Sequence, residues 1–445
     1  MRGRILSCLV ATAIGACTKE TPNPSPDAPP GNRPPPRVIP GGGIGDGAIN
    51  GVVNLYVIDD KTRLPVPNAT VRVGTVDGVT DTTGLFVAQG VVGPQTVSAK
   101  ATGFRAELWF GADGANLTMN LQPSVQAAPT HADLSGQITG FSGITVPAGH
   151  VAVAKVLYSQ SDDLGDPANS IATAGDTNNC GPPSCAFKVT VRTGRIGLIA
   201  AIFDLDRKGT PNDTSDDTMT LIRWAWRPGI TVSDRANLTG QDLALIDASN
   251  ASQLTVDFGA PPSALTTVAG LVGLDTADDG VYQLPLFRTP SDAAILAPKL
   301  TSINATGYRL TAIASNSNGP DAIQSIVLRR ALTGSTLAAG AWLPPPASVA
   351  LSRTTASWGA ASATSVIGIE YTQGSATVTH LLNVTVFDGS TSVTIPALVA
   401  LPTTGVLDAK LSAIAATGLD VHNFALDADR TKLDRVAAQP ITITN

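Results

Sequence analysis

The sequence predicts an all-β protein, with tandem β-sandwich modules following a disordered linker rich in proline and glycine. Apolar residues alternate with period two in short runs, as half-buried strands require. Charged residues are 14% and aromatics 4% of the 445 residues, with Ala, Gly, Thr, Ser and Val abundant. That composition suits small-residue strands better than charged amphipathic helices. Many of the 43 Gly and 32 Pro fall between the apolar runs and mark turns.

The N-terminus has the layout of an export signal. Arg2 and Arg4 precede an apolar run from Ile5 to Ile14, and small residues follow. The stretch Ile14-Gly15-Ala16-Cys17 resembles a bacterial lipobox, with Ile14 where that family usually has Leu. The resemblance implies cleavage after Ala16 in a 1–16 signal peptide, and diacylglycerol and N-acylation on Cys17. Thr18, rather than Asp, implies transfer to the outer membrane. One acyl chain holds only marginally, at ~0.8 kcal/mol per buried CH₂, but two or three on one residue make attachment effectively permanent. No other apolar run approaches the ~20 residues needed to span a bilayer. The membrane, through the lipid, is thus the first expected partner.

The segment 17–50 reads as a lipidated Cys and a disordered spacer. Pro22-Asn-Pro-Ser-Pro26 and Pro34-Pro-Pro36 favour extended polyproline II, and Gly41-Gly-Gly43 adds flexibility.

The first module is expected at 51–123. Val53, Leu55 and Val57 alternate, as do Ala69, Val71 and Val73, then Val97, Ala99 and Ala101, then Leu117, Met119 and Leu121. Gly51-x-Val53, Pro65-Val66, Thr80-Asp81-x-x-Gly84-x-Phe86, Gly93 and Gly103-Phe104 resemble the carboxypeptidase regulatory-like domain, a transthyretin-like sandwich. The sequence departs from that family near Gln95, where an aromatic is usual. The resemblance implies a structural or weakly sugar-binding unit without zinc ligands.

A second β domain is expected at 131–260. Val151 to Val156 is an apolar run broken only by Lys155, as in a buried strand. Phe187, Val189 and Val191 alternate, and Ile196 to Phe203 follows Gly194, which suggests a hairpin between them. Ile222, Trp224 and Trp226 are spaced to share one face. Cys8 lies in the signal and Cys17 carries lipid, so Cys180 and Cys185 remain. In an exported chain that pair is expected to form a disulfide closing a tight loop, worth roughly 2 kcal/mol.

A third module is expected at 261–342 and a fourth at 343–445, divided at Pro344-Pro-Pro346. In the fourth, Trp358 and the strand rhythm resemble an Ig-like or fibronectin type III sandwich. Leu407 to Ala416 reads as a strand or a short helix.

Asp204, Asp206, Asp213, Asp216 and Asp217 place five carboxylates in fourteen residues around Gly209 and Pro211. A hard cation such as Ca²⁺ takes six to eight oxygens, so this loop is the candidate metal site. Arg207 and Lys208 intrude and no closing Glu follows, so a solvated acidic loop is the alternative. Asp275, Asp278 and Asp279 read as a turn, and Asp427 and Asp429 as a solvated turn. Trp109, Trp224 and Trp226 are candidate stacking platforms for sugars, and core packing is the alternative for each.

No Gly-x-Ser-x-Gly, His-Glu-x-x-His or P-loop occurs, so no catalytic residue is assigned and no enzyme is expected. The net charge of −6 and the lack of Lys/Arg clusters argue against nucleic acid. The expected function is structural or adhesive presentation of β-sandwich modules at the cell envelope, to a glycan or an envelope protein. The alternatives are a carbohydrate-binding accessory and, further off, a hydrolase with a dispersed site.

Overall fold

Thirty strands and one four-residue α-helix, Leu426–Asp429 (α1), make up nearly all the regular structure in the described residues. The computed structural model describes residues 35–125, 130–159, 184–210, 217–246, 250–277, 279–284, 293–317, 319, 321–361, 364–374 and 377–444. The signal, Cys17, Cys180, Asp213, Asp216 and Asp278 lie outside them. No described helix is long and apolar enough to cross a membrane.

One sheet runs through three modules. In spatial order its strands are β18 (Gly280–Leu284), β17 (Thr267–Thr276), β20 (Ala305–Ser315), β21 (Gln324–Leu332), β30 (Leu433–Ile443), β28 (Leu407–Ala416), β25 (Val366–Gln373), β26 (Thr379–Val386), β7 (Ala106–Ala112), β6 (Gln95–Lys100), β3 (Thr70–Val73) and β4 (Val76–Val79). Neighbours are antiparallel except at one join. There β26 of the last module pairs in parallel with β7 of the first, from Leu382↔Ala106 to Val386↔Phe110. Successive modules in the sequence are therefore not simply successive in space: the last one docks on the first.

Facing one end of this sheet is a five-stranded sheet, β29 (Phe424–Ala425), β1 (Gly43–Gly45), β8 (Asn116–Leu121), β2 (Asn50–Asp59) and β5 (Leu85–Val92). Val53, Leu55, Val57, Val71, Val73, Val97, Ala99, Leu117, Met119 and Leu121 all point into the core between them. The turn before β5 is built as the sequence suggests. Asp81 Oδ1 accepts hydrogen bonds from the Thr83 and Leu85 amides, and Gly84 takes φ +75°.

The second module has β10 (Val151–Tyr158), β12 (Gly194–Asp206) and β13 (Thr218–Val232) in one sheet. The other sheet holds β11 (Ser184–Arg192), β9 (His131–Thr139), β14 (Asn237–Leu238) and β15 (Leu243–Ala244). The expected hairpin is absent. Among the described residues β11 pairs only with β9, whereas β12 lies between β10 and β13 in the opposite sheet. Gly194, at φ +97°, carries the chain from one layer to the other.

The apolar run in β12 has a direct cause. Ile196, Leu198, Ala200 and Ile202 face the core of the second module, while Ile199, Ala201 and Phe203 face the core of the third. A sheet covered on both faces has no solvent side, so alternation gives way to continuous hydrophobicity. The third core is completed by β19 (Ala293–Pro298), β16 (Ala251–Asp257) and β22 (Thr336–Ala338), and ends at Trp342. Leu343 already belongs to the fourth core. That core contains Trp358 and is closed by β23 (Ala350–Leu351), β24 (Thr355–Ser357) and β27 (Ser392–Thr394). Leu407 to Ala416 is a strand, not a helix.

A register shift opposite Ile202/Phe203 leaves Ile222 bulged between Leu221 and Arg223. Ile222 therefore packs on the second core while Trp224 and Trp226 pack on the third, so the three do not share a face.

Gly197 marks where the second and third modules approach most closely. A Cβ there would collide with Tyr282 Oη and crowd Asp279 Oδ2. Gly197→Ala is expected to lower stability by about 2 kcal/mol, the cost of overpacking. A urea titration should show a lower midpoint at unchanged slope.

Candidate functional site

The densest cluster of charged side chains in the described residues lies where the first module meets the last. The registers put Lys410, Glu370, Asn383 and Glu107 in one row across β28, β25, β26 and β7. Arg105, just before β7, reaches into this row and is 1% exposed. Its Nε and Nη2 donate to Glu107 Oε1 at 3.2 and 3.0 Å, and its Nη1 donates to Glu370 Oε1 at 3.1 Å. Asn383 Nδ2 donates to Glu107 Oε2 at 2.8 Å, and His380 Nδ1 to Glu370 Oε1 at 2.8 Å. Lys410 Nζ stands 3.9 Å from Glu370 Oε2.

The two carboxyls are pushed apart. Burial raises Glu107 to about 7, against the opposing pull of Arg105 and Asn383. Burial acts the same way on Glu370, but the His380 hydrogen bond and the charges of Arg105, Lys410 and His380 outweigh it and hold Glu370 at about 2. Such a split is what a proton-transfer pair uses. Here, however, every group is engaged with another, and the cluster joins residues 265 positions apart. Its chemistry is that of a buried lock: an apolar replacement of the whole set can be neutral, but removing one partner strands a charge.

A second polar knot ties the second module to the third. Asp279, 3% exposed, lies in the β17–β18 turn. Its Oδ1 accepts from Arg195 Nε at 2.8 Å and its Oδ2 from the Gly229 amide at 2.9 Å. Its carbonyl accepts from Ser159 Oγ at 2.5 Å. Beside it Trp226 Nε1 donates to Tyr282 Oη at 2.9 Å. Of the expected acidic turn only Asp279 sits in a turn, as a buried tie; Asp275 lies in β17 paired with Arg309, and Asp278 lies outside the described residues.

The sequence-predicted sites fare differently. Trp109 is 4% exposed and packs edge-on against Phe387, with ring centroids 5.6 Å apart. Trp224 is fully buried, and Trp226 is partly buried against the same core. These indoles are core residues, which corrects their reading as sugar platforms: both faces of a strand in a shared sheet are covered. In the acidic loop, His150 Nδ1 donates to Asp204 Oδ1 at 2.8 Å, and Lys208 Nζ to Asp206 Oδ2 at 2.5 Å. Hydrogen bonds from Lys208 hold the Asp206 carboxyl below its usual range. No metal-holding group of three or more His, Cys, Asp or Glu occurs among the described residues. Asp217 lies beside the start of β13, and Asp213 and Asp216 are not described. Cys185 is disulfide-bonded. Asp427 is not a solvated turn residue: its side chain is 8% exposed and lies 3.5 Å from Arg63.

Sequence reading missed Arg105, Glu107, Glu370, Asn383, His380 and Lys410. The alternation Arg105-x-Glu107 looks like a solvated strand face, and nothing local points to a partner in β25.

No family model and no curated protein matches this chain. Among solved structures, the TIE protein of Bacillus anthracis aligns over 66% of this chain at 8% identity and a TM-score of 0.15. This chain spans 50% of that protein's length. A variant of BcpA, the major pilin subunit of Bacillus cereus, aligns over 65% of this chain and 97% of its own, at 10% identity and 0.14. A tetra-tandem repeat from the extending region of a large adhesion protein covers 88% and 99%, at 13% identity and 0.14. Scores this low carry no argument about function.

The split carboxyls give a pH signature. Glu370, held low, contributes stability that is present above its unfolded value near 4.5 and is lost as pH falls through about 2. Glu107, held high, contributes stability that is present below 4.5 and is lost as pH rises through about 7. Glu370→Gln is expected to cost about 3 kcal/mol at pH 7, because Arg105 is left undercompensated. Glu107→Gln should cost less and flatten the decline in stability between pH 4.5 and about 7. Urea midpoints measured across pH on the two variants check both.

Proposed function

We propose that this chain is an exported lipoprotein, held to the bacterial envelope by acyl groups on Cys17, that presents a rigid, non-catalytic β body for structural or adhesive contact. The observation that carries the reading is the twelve-stranded sheet shared by the first, third and fourth modules, fastened at the seam by the Arg105 cluster. A chain of independent beads would expose an edge and a flexible joint at each boundary. This one hands its strand edges from module to module and buries charge at the joins. Residues committed to seams in this way are not free for turnover. The first module is assigned to the carboxypeptidase regulatory-like family, and the anchor to the outer membrane, on their sequence resemblances. Residues 18–34 would allow a stand-off of at most about 60 Å even fully extended.

Two measurements test this. Mass spectrometry of the mature N-terminal peptide should find diacylglyceryl and N-acyl groups on Cys17; an unmodified thiol there rejects the anchor. Small-angle scattering of the soluble body should give a radius of gyration below about 30 Å, near the compact-domain scaling. A value typical of a string of beads rejects the rigid body.

A further inference from the structure

The Pro/Gly-rich segment is ordered from residue 35, which overturns its expected disorder up to residue 50. On the outer face of the first module's sheet, Asn54, Asn116, Thr118 and Asn120 are all buried. In a half-solvated sheet those positions would face water. Here residues 35–42 lie across them. The Arg37 amide donates to Asn116 Oδ1 at 3.3 Å, and the Ile39 amide donates to Thr118 Oγ1 at 2.8 Å. Asn116 Nδ2 donates to the Pro35 carbonyl and to Asp46 Oδ2. A proline-rich stretch makes no internal backbone hydrogen bonds, and the Asn/Thr row supplies them.

The chain then turns through Gly41 and Gly42 and enters the sheet as β1. There it is antiparallel to β8 on one side and to β29 of the last module on the other. Among the described residues, β1 is the only strand with which β29 pairs. The Leu426 amide donates to the Gly42 carbonyl at 2.8 Å, and the Asp427 amide to the Pro40 carbonyl at 3.4 Å. Gly41 and Gly43 have φ of +76° and +147°. A Cβ on Gly41 would strike the Asp427 carboxylate, and one on Gly43 would strike the Phe424 carbonyl. Ile39 and Ile44 are buried on either side of this turn. The glycines serve close approach, not looseness.

We infer that residues 35–45 are a strap that holds the last module against the first, so that pull arriving along the N-terminal tether enters the body at both modules together. Its occupant is this chain's own segment, because residue 45 runs on through the 46–48 turn into β2 beside the groove it fills. The mechanical consequence rests on the anchored reading above; the strap itself does not.

The test is hydrogen exchange on the full mature chain carrying Cys17→Ser, so that a failure of lipidation shows only in the mass experiment. Gly43→Val is expected to raise exchange at residues 424–427 at least tenfold, with strands of the second and third modules still protected. A second variant lacking residues 35–45 should behave alike, and a synthetic peptide of residues 35–45 added in trans should restore protection. Unchanged exchange at 424–427 in the deletion overturns the strap. So does global unfolding of both variants, which would make the segment ordinary core. A wild-type dimer that exchanges the segment between copies overturns the assignment of the occupant.

Discussion

Arg105 sets the constraint from which the arrangement of modules follows. A guanidinium with 1% of its surface exposed cannot discard its charge, so carboxylates must come to it. One, Glu107, lies two residues further on, in β7; the other, Glu370, belongs to the last module. Moving the last module away would leave one buried cation with one buried anion and an open strand edge. The parallel β26–β7 pairing and the Arg105 bridge are therefore one device. Backbone hydrogen bonds give the join its strength, and the ion row gives it a single register, since a slip by one residue would turn Arg105 and Glu107 to the opposite face.

The same logic governs the other boundary. The β10–β12–β13 sheet is apolar on both faces and serves two cores at once. Hydrophobic contact alone would tolerate sliding. Asp279 removes that freedom, because its side chain must meet both Arg195 and the amide of Gly229. Each seam therefore combines a non-directional apolar contact with a directional buried polar one.

Much of this was legible in the sequence, and the limits have physical causes. Alternation identified the inward residues of the first module, such as Val53, Leu55, Leu117 and Met119, because a two-layer sandwich leaves each strand one dry face. The continuous run at Ile196–Phe203 reads only as one arm of a hairpin, although it is the strand covered on both faces. What it could not announce was the partner on the second side, since hydrophobicity carries no address. β8 was misleading for the opposite reason. Asn116, Thr118 and Asn120 read as solvent-facing, yet they are covered by peptide that needs hydrogen bonds. For the indoles of Trp109 and Trp224 the core reading holds over the sugar platform, because the faces that carry them pack on cores. Ile222 was displaced by a bulge, which period-two reading does not detect.

The composition is explained by the layering. Sheets pack about 10 Å apart, and a strand covered on both faces must fit side chains into two such gaps at once. Ala, Gly, Val and Thr fit readily; the few large aromatics, such as Phe203 and Trp224, each fill one gap of the third core. A protein built this way has few aromatics and few charges for the same reason: little of its strand surface faces water. The charges that remain inside it cluster at seams, where a buried ion pair fixes one arrangement among many apolar ones. Rigidity across module boundaries follows from that placement.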